Sequence, residues 1–177
     1  IMSDADLDIA IPGVIDGMRY TRQGQACTAG SRVYIQEKIY EKVLEGVVNK
    51  LKNLKMGNAL DENSDIGAII SKEQLNRTLH YMNIAKENSS TKVLHGGNQK
   101  KEGDYKDGFF YEPTLLSGVP VESPVCQEEI FGPVACAIPF KSFDEVLKSA
   151  NNTPFGLSAV LWTQNLSRAL QFVEEIE

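Results

Sequence analysis

The sequence is short of the residues that build metal centres and disulfide frameworks. Among 177 residues there are three cysteines and two histidines. Cys27, Cys126 and Cys136 form no CxxC pair, and His80 and His95 stand at no spacing that completes a zinc site with them, so no metal is expected. An odd number of thiols argues against a disulfide framework and for a reducing compartment, the cytoplasm, where one thiol is free to do chemistry. Basic residues are outnumbered: Lys+Arg 18 against Asp+Glu 24 leaves a formal net charge of -6. The lysines are scattered, so the electrostatic footprint of a nucleic-acid binder is missing and no such partner is expected. The longest apolar stretch, Val134 to Phe140, falls far below the roughly 20 residues that span a bilayer. No basic segment followed by an apolar one opens the chain, and neither membrane insertion nor secretion is expected. There is no internal repeat, coiled-coil seam or low-complexity tract.

What is present suits one globular domain: 42% hydrophobic residues and 24% charged. Both ends read as cut from something longer, since Ile1 leads straight into an acidic helix start and Glu177 falls inside the helical stripe Leu166, Ala169, Leu170, Val173, Ile176. Asp4 to about Arg22 reads as a short helix, a break at Pro12 and Gly13, and a second helix entering the loop Gln23 to Gly30. A strand over Arg32 to Ile35 precedes the strongest helical pattern, Ile39 to Leu54. Ser71, with Gln74 three residues on, reads as a capping-box start for a helix through Ile84. Lys92 to His95 reads as a strand, Asn98 to Gly108 as a surface loop, and Phe109 to Leu116 as a strand whose proline favours an edge or a terminus. A loop with Glu128 and Glu129, a strand Val134 to Phe140, a helix Phe143 to Ala150, a strand Leu157 to Trp162 and a final helix from Asn165 complete the chain. Strands alternating with amphipathic helices predict an α/β fold, a layered α/β/α sandwich with a largely parallel sheet.

Two segments have the residue types for chemistry. Cys27 lies in Gly24-Gln25-Ala26-Cys27-Thr28-Ala29-Gly30, a loop of small residues where the backbone can approach a substrate and amides can face an oxyanion. No histidine lies nearby in sequence to activate it, so a nucleophile and a buried structural thiol both remain open readings. Cys126 and Cys136 read as small buried hydrophobes. In Gln127-Glu128-Glu129-Ile130-Phe131-Gly132-Pro133-Val134, a carboxylate two residues before an aromatic can clasp vicinal hydroxyls while the ring packs on a flat heterocycle. The alternative there is an ordinary acidic loop ahead of a strand.

Gly24-Gln25-Ala26-Cys27, with Arg32 following, resembles the nucleophile loop of the aldehyde dehydrogenase superfamily, and Glu128 to Val134 resembles its second signature. Asp4 to Leu7, Gly108 to Thr114 and Asn152 to Leu157 are similar to further family blocks in the same order. The likeness covers nearly all of the chain. It implies that Cys27 is the nucleophile that forms a thiohemiacetal with an aldehyde, its own N–H serving in the oxyanion hole, and that water then resolves a thioester to a carboxylic acid. It implies that Glu129 binds the ribose hydroxyls beside the nicotinamide of NAD or NADP and that Phe131 packs next to them; Glu128 has no role in the pattern.

The resemblance also implies that residues 1–177 are a truncated catalytic domain. The dinucleotide-binding domain, the side-chain amide of the oxyanion hole and the glutamate base would precede Ile1, and the piece alone is expected to be inactive. The parent is expected to be a homo-oligomer, a dimer or tetramer, acting on a small aldehyde. Ala68 and Phe155 depart from the common proline and tyrosine without touching the chemistry. Two other readings stay open: an acylating, CoA-dependent or phosphate-independent relative, and a non-catalytic α/β binding domain.

Overall fold

A computed structural model describes residues 1–177. Helix α1 (Leu7–Gly17) starts at Asp6, whose side chain accepts from the Asp8 N–H at 3.0 Å. It then runs unbroken through Pro12, where a break is predicted. The proline removes one ladder donor, but Ala10, Val14 and Ile15 on either side of it are buried, and their packing outweighs the lost bond. Instead of a second helix, a single 3-10 turn, Tyr20–Arg22, leads into the loop. Gly13 serves a neighbour: a Cβ there would lie 2.2 Å from the Trp162 ring.

Strand β1 (Arg32–Gln36) and helix α2 (Tyr40–Lys52) follow as the periodicity predicts. Helix α3 (Lys72–Glu87) begins at Ser71, whose hydroxyl caps the Gln74 N–H at 3.2 Å. Next come β2 (Lys92–His95), β3 (Gln99–Lys100), β4 (Phe110–Tyr111), β5 (Thr114–Ser117), the short helix α4 (Pro124–Gln127), β6 (Val134–Phe140), α5 (Phe143–Asn151) and α6 (Leu166–Glu175).

The main sheet has the order β1-β6-β5-β2, with β1/β6 and β5/β6 parallel and β2/β5 antiparallel. Alternation along β6 divides the core. Ala135 and Ala137 face α1 and α2, where Val14, Val43, Val47 and Leu51 are buried, while Val134, Cys136 and Ile138 face α3 and α4 with Leu75, Met82, Ala85 and Val125. Helices thus cover both faces of a largely parallel sheet.

Three expectations fail for physical reasons. The single strand over Phe109 to Leu116 is two, because Pro113 has no N–H to continue a ladder; the proline stands at the terminus of β5, one of the two places expected for it, while β4 pairs with β3 inside the segment predicted to be a loop and β5 lies within the sheet. Leu157 to Trp162 has no ladder partner and forms no strand, leaving Leu157 and Val160 exposed. The stripe on α6 faces outward at Leu166, Leu170 and Val173. No helix is long and apolar enough to cross a membrane.

Candidate active site

Parallel pairing of adjacent strands places the loops that enter them at the same end of the sheet. Cys27 lies in the loop before β1 and Glu129 in the loop before β6, and β1 pairs with β6 from Arg32↔Cys136 onward, with the Cys136 N–H bonded to the Ser31 carbonyl at 2.8 Å. The two candidate segments, remote in sequence, therefore meet. Their contact is close: a Cβ on Gly24 would fall 2.2 Å from the Gly132 carbonyl oxygen. Only glycine lets the Cys27 loop seat on that carbonyl, and its φ of +63° also favours glycine.

Backbone strain gathers in these same segments. Arg19, Gln23 and Phe131 are the three non-glycine residues with positive φ, at 57°, 58° and 55°. Each such conformation costs on the order of 1–3 kcal/mol and persists only where its surroundings over-determine it. Two precede Cys27 and the third follows Glu129.

Cys27, Ala29, Ser31 and Glu129 line two adjoining cavities. One is a cleft of about 310 Å³ that Arg32, Glu128 and Ser158 also border. The other is a pocket of about 40 Å³ walled by Met18, Phe131 and Val134. Phe131 thus borders the same small pocket as Cys27 and Glu129. A further, mainly apolar cavity of about 330 Å³ between α1, β1 and the segment ending at Trp162 does not include Cys27.

Three features make the site chemically capable. The Cys27 thiol is exposed and free, whereas a structural thiol belongs in the core. The loop's turns are closed by other amides, Gly24 to Arg19, Gln25 to Arg22, Ala29 to Ala26 and Gly30 to Gly17, leaving the Cys27 N–H unspent as a donor. The acidic pair is divided: Glu128 Oε2 accepts from the Tyr81 hydroxyl at 2.6 Å, while the Glu129 carboxylate is exposed and makes no hydrogen bond or ion pair, the only salt bridge being Lys100–Glu112.

The other two thiols are set apart by burial. Cys126 and Cys136 are both buried, and hydrogen bonding with Cys126 together with burial pushes the Cys136 thiol well up. Iodoacetamide is therefore expected to alkylate Cys27 well before Cys126 or Cys136, because the thiolate is the attacking form and access gates the reaction. Peptide mass spectrometry after timed labelling checks this; equal or slower labelling of Cys27 contradicts it.

One group is not visible in residue patterns alone. Gln74 Nε2 donates to the carbonyls of Ile130 at 2.9 Å and Phe131 at 2.7 Å, and Arg77 Nε donates to that of Glu129 at 3.0 Å. The capping-box pattern suggests that Gln74 folds back on its own helix start; its amide is spent on the loop instead. The signal in the sequence is the spacing Gln74, Arg77, Tyr81, three polar residues on one face of α3.

Comparison with known proteins decides the family. The profile of the Aldehyde dehydrogenase family matches residues 1–177. The chain belongs to that family. It is 39% identical over 177 residues to the α-ketoglutaric semialdehyde dehydrogenase of Bacillus subtilis, covering 100% of this chain and 36% of the relative. With a betaine aldehyde dehydrogenase of Mesorhizobium japonicum it shares 36% identity, again over 100% of this chain and 36% of the relative. Among solved structures, the betaine aldehyde dehydrogenase of Staphylococcus aureus in complex with NAD+ superposes with a TM-score of 0.94 at 30% identity, covering 99% of this chain and 34% of that one. An aldehyde dehydrogenase from Bacillus cereus, also an NAD+ complex, gives 0.93 at 37% identity over 99% and 35%. The chain spans about a third of the length of these relatives. The α/β architecture predicted from the alternating elements is the one these catalytic enzymes share with it.

Proposed function

We propose that residues 1–177 are the thiol-bearing catalytic domain of a longer NAD(P)-dependent aldehyde dehydrogenase that oxidises a small aldehyde to a carboxylic acid. One observation carries the reading: an exposed thiol with an unspent backbone amide shares the walls of two cavities with an unpartnered carboxylate. The thiolate of Cys27 adds to the aldehyde carbon, and the new C–S bond moves the carbonyl π pair onto oxygen. The Cys27 N–H faces that oxyanion. Bound NAD(P) would supply the hydride acceptor that leaves a thioester on Cys27. Water attack then breaks the C–S bond, releasing the acid and the free thiol.

The cofactor end that this chain would meet is a ribose and a flat ring. Glu129 has two oxygens free to accept from a pair of vicinal hydroxyls, Phe131 offers an apolar surface beside it, and the cleft of about 310 Å³ falls in the range that small-ligand sites occupy. The free state of all three cysteines fits the reducing cytoplasm.

In the full-length enzyme, Glu129→Gln should slow hydride transfer or weaken cofactor binding by roughly ten- to a hundredfold, the worth of a hydrogen bond to a charged group. Glu128→Gln should do much less, since Glu128 is engaged by Tyr81. Stopped-flow recording of cofactor reduction with both variants checks this. Indistinguishable kinetics would mean that the roles within the acidic pair are misassigned.

A further inference from the structure

The Glu129 carboxylate has no partner of its own, so only its backbone sets where it points. From Glu128 to Pro133 that backbone belongs to no helix or strand, and it passes through the left-handed φ of Phe131. Such a loop needs an outside hold.

The hold comes from one helix. Gln74 bonds the Ile130 and Phe131 carbonyls, and Arg77 bonds those of Glu129 and Ile130, the latter at 3.3 Å, with its second nitrogen also on the Glu129 carbonyl. Three consecutive carbonyls are therefore taken by two side chains of α3. Tyr81, one turn further on, holds Glu128, and the Arg77 guanidinium lies 5.3 Å from the Tyr81 ring centre. Neither Gln74 nor Arg77 borders the cleft or the small pocket beside Cys27. Their donors are spent on backbone, where a charge-assisted fork is worth more than a neutral contact.

We propose that Gln74 and Arg77 are positioning residues for the reaction: acting through the carbonyls of residues 129–131, they fix the Glu129 carboxylate and the Phe131 ring at the cleft. This rests on the reading of Glu129 as the ribose clasp. The clamp also reaches the nucleophile, because Gly24 seats on the Gly132 carbonyl next in line.

Two measurements on the full-length enzyme test it, with Asn76→Ala, one step off the row, as the control. In the cofactor-free enzyme, Gln74→Ala and Arg77→Lys should raise the iodoacetamide alkylation rate of Cys27 severalfold over the control, as the seat of Gly24 loosens. Arg77→Lys keeps the charge and loses the fork. An unchanged rate overturns the clamp.

With NAD+ and a short aliphatic aldehyde, Gln74→Ala should slow hydride transfer about tenfold with the aldehyde KM unchanged, and this loss should vanish when Glu129→Gln is already present. Multiplying losses overturn the proposal, since Gln74 would then act on its own. A silent Glu129→Gln overturns the ribose reading and the positioning role with it, and the alkylation rates tell that failure apart from failure of the clamp.

Discussion

Cys27→Ala is expected to remove aldehyde-dependent reduction of NAD(P) by about 10⁴-fold or more, the scale on which loss of a covalent nucleophile acts. The folded state should be untouched. Cys27 is exposed, its sulfur makes no hydrogen bond, and the loop around it is held by backbone bonds such as Gly30 N–H to the Gly17 carbonyl at 2.9 Å. Alanine keeps all of these, so the stability change should stay within about 0.5 kcal/mol. It also keeps the Cys27 N–H, so the remaining site can still polarise a carbonyl but has nothing to add to it.

Cys126→Ala supplies the contrast. Its side chain is 5% exposed in the core against α3, so it should lower the melting temperature and leave the chemistry standing. Activity that survives in Cys27→Ala, or that Cys126→Ala abolishes equally, would place the nucleophile elsewhere.

How much of the fold and of the site is legible in the sequence depends on the range of the interaction. The helical stripe through Val43, Val47 and Leu51 and the buried run Val134 to Phe140 show in the sequence because one periodic pattern meets one core. Pro12 misleads because a local rule is overridden by burial on both sides of it. Leu157 to Trp162 has the composition of a strand, yet a strand is a property of a pair, and no neighbour takes up its ladder. The residue types at Cys27 and Glu129 announce chemistry, but their meeting is a consequence of the parallel register of β1 on β6, which no local pattern states. The turn of the Gln74 amide away from its own capping box and onto Ile130 and Phe131 is a long-range choice of the same kind.

Gly24→Ala should be the most damaging change that adds only one carbon. In the left-handed region an alanine costs about 1–2 kcal/mol over glycine, and here its Cβ would stand 2.2 Å from the Gly132 oxygen and 2.7 Å from the Gly132 carbon. Gly132 is itself held closely: a Cβ on it would meet Thr78 Oγ1 at 2.4 Å, and its carbonyl already accepts from the Val134 N–H at 2.8 Å. The two loops must therefore part. A total cost of about 2 kcal/mol or more corresponds to a fall of about 4–8 °C in melting temperature for a chain of this size. A shift of about 1 Å between thiol and carboxylate is enough to cost about a hundredfold in rate. Gly17→Ala is the matched control, because nothing lies within 4 Å of its added carbon and it closes a helix; it should melt at or slightly above the parent. Calorimetry and cofactor-reduction rates on the two variants decide the point, and a Gly24→Ala enzyme as stable and active as Gly17→Ala would mean that the two loops are not seated on one another in solution.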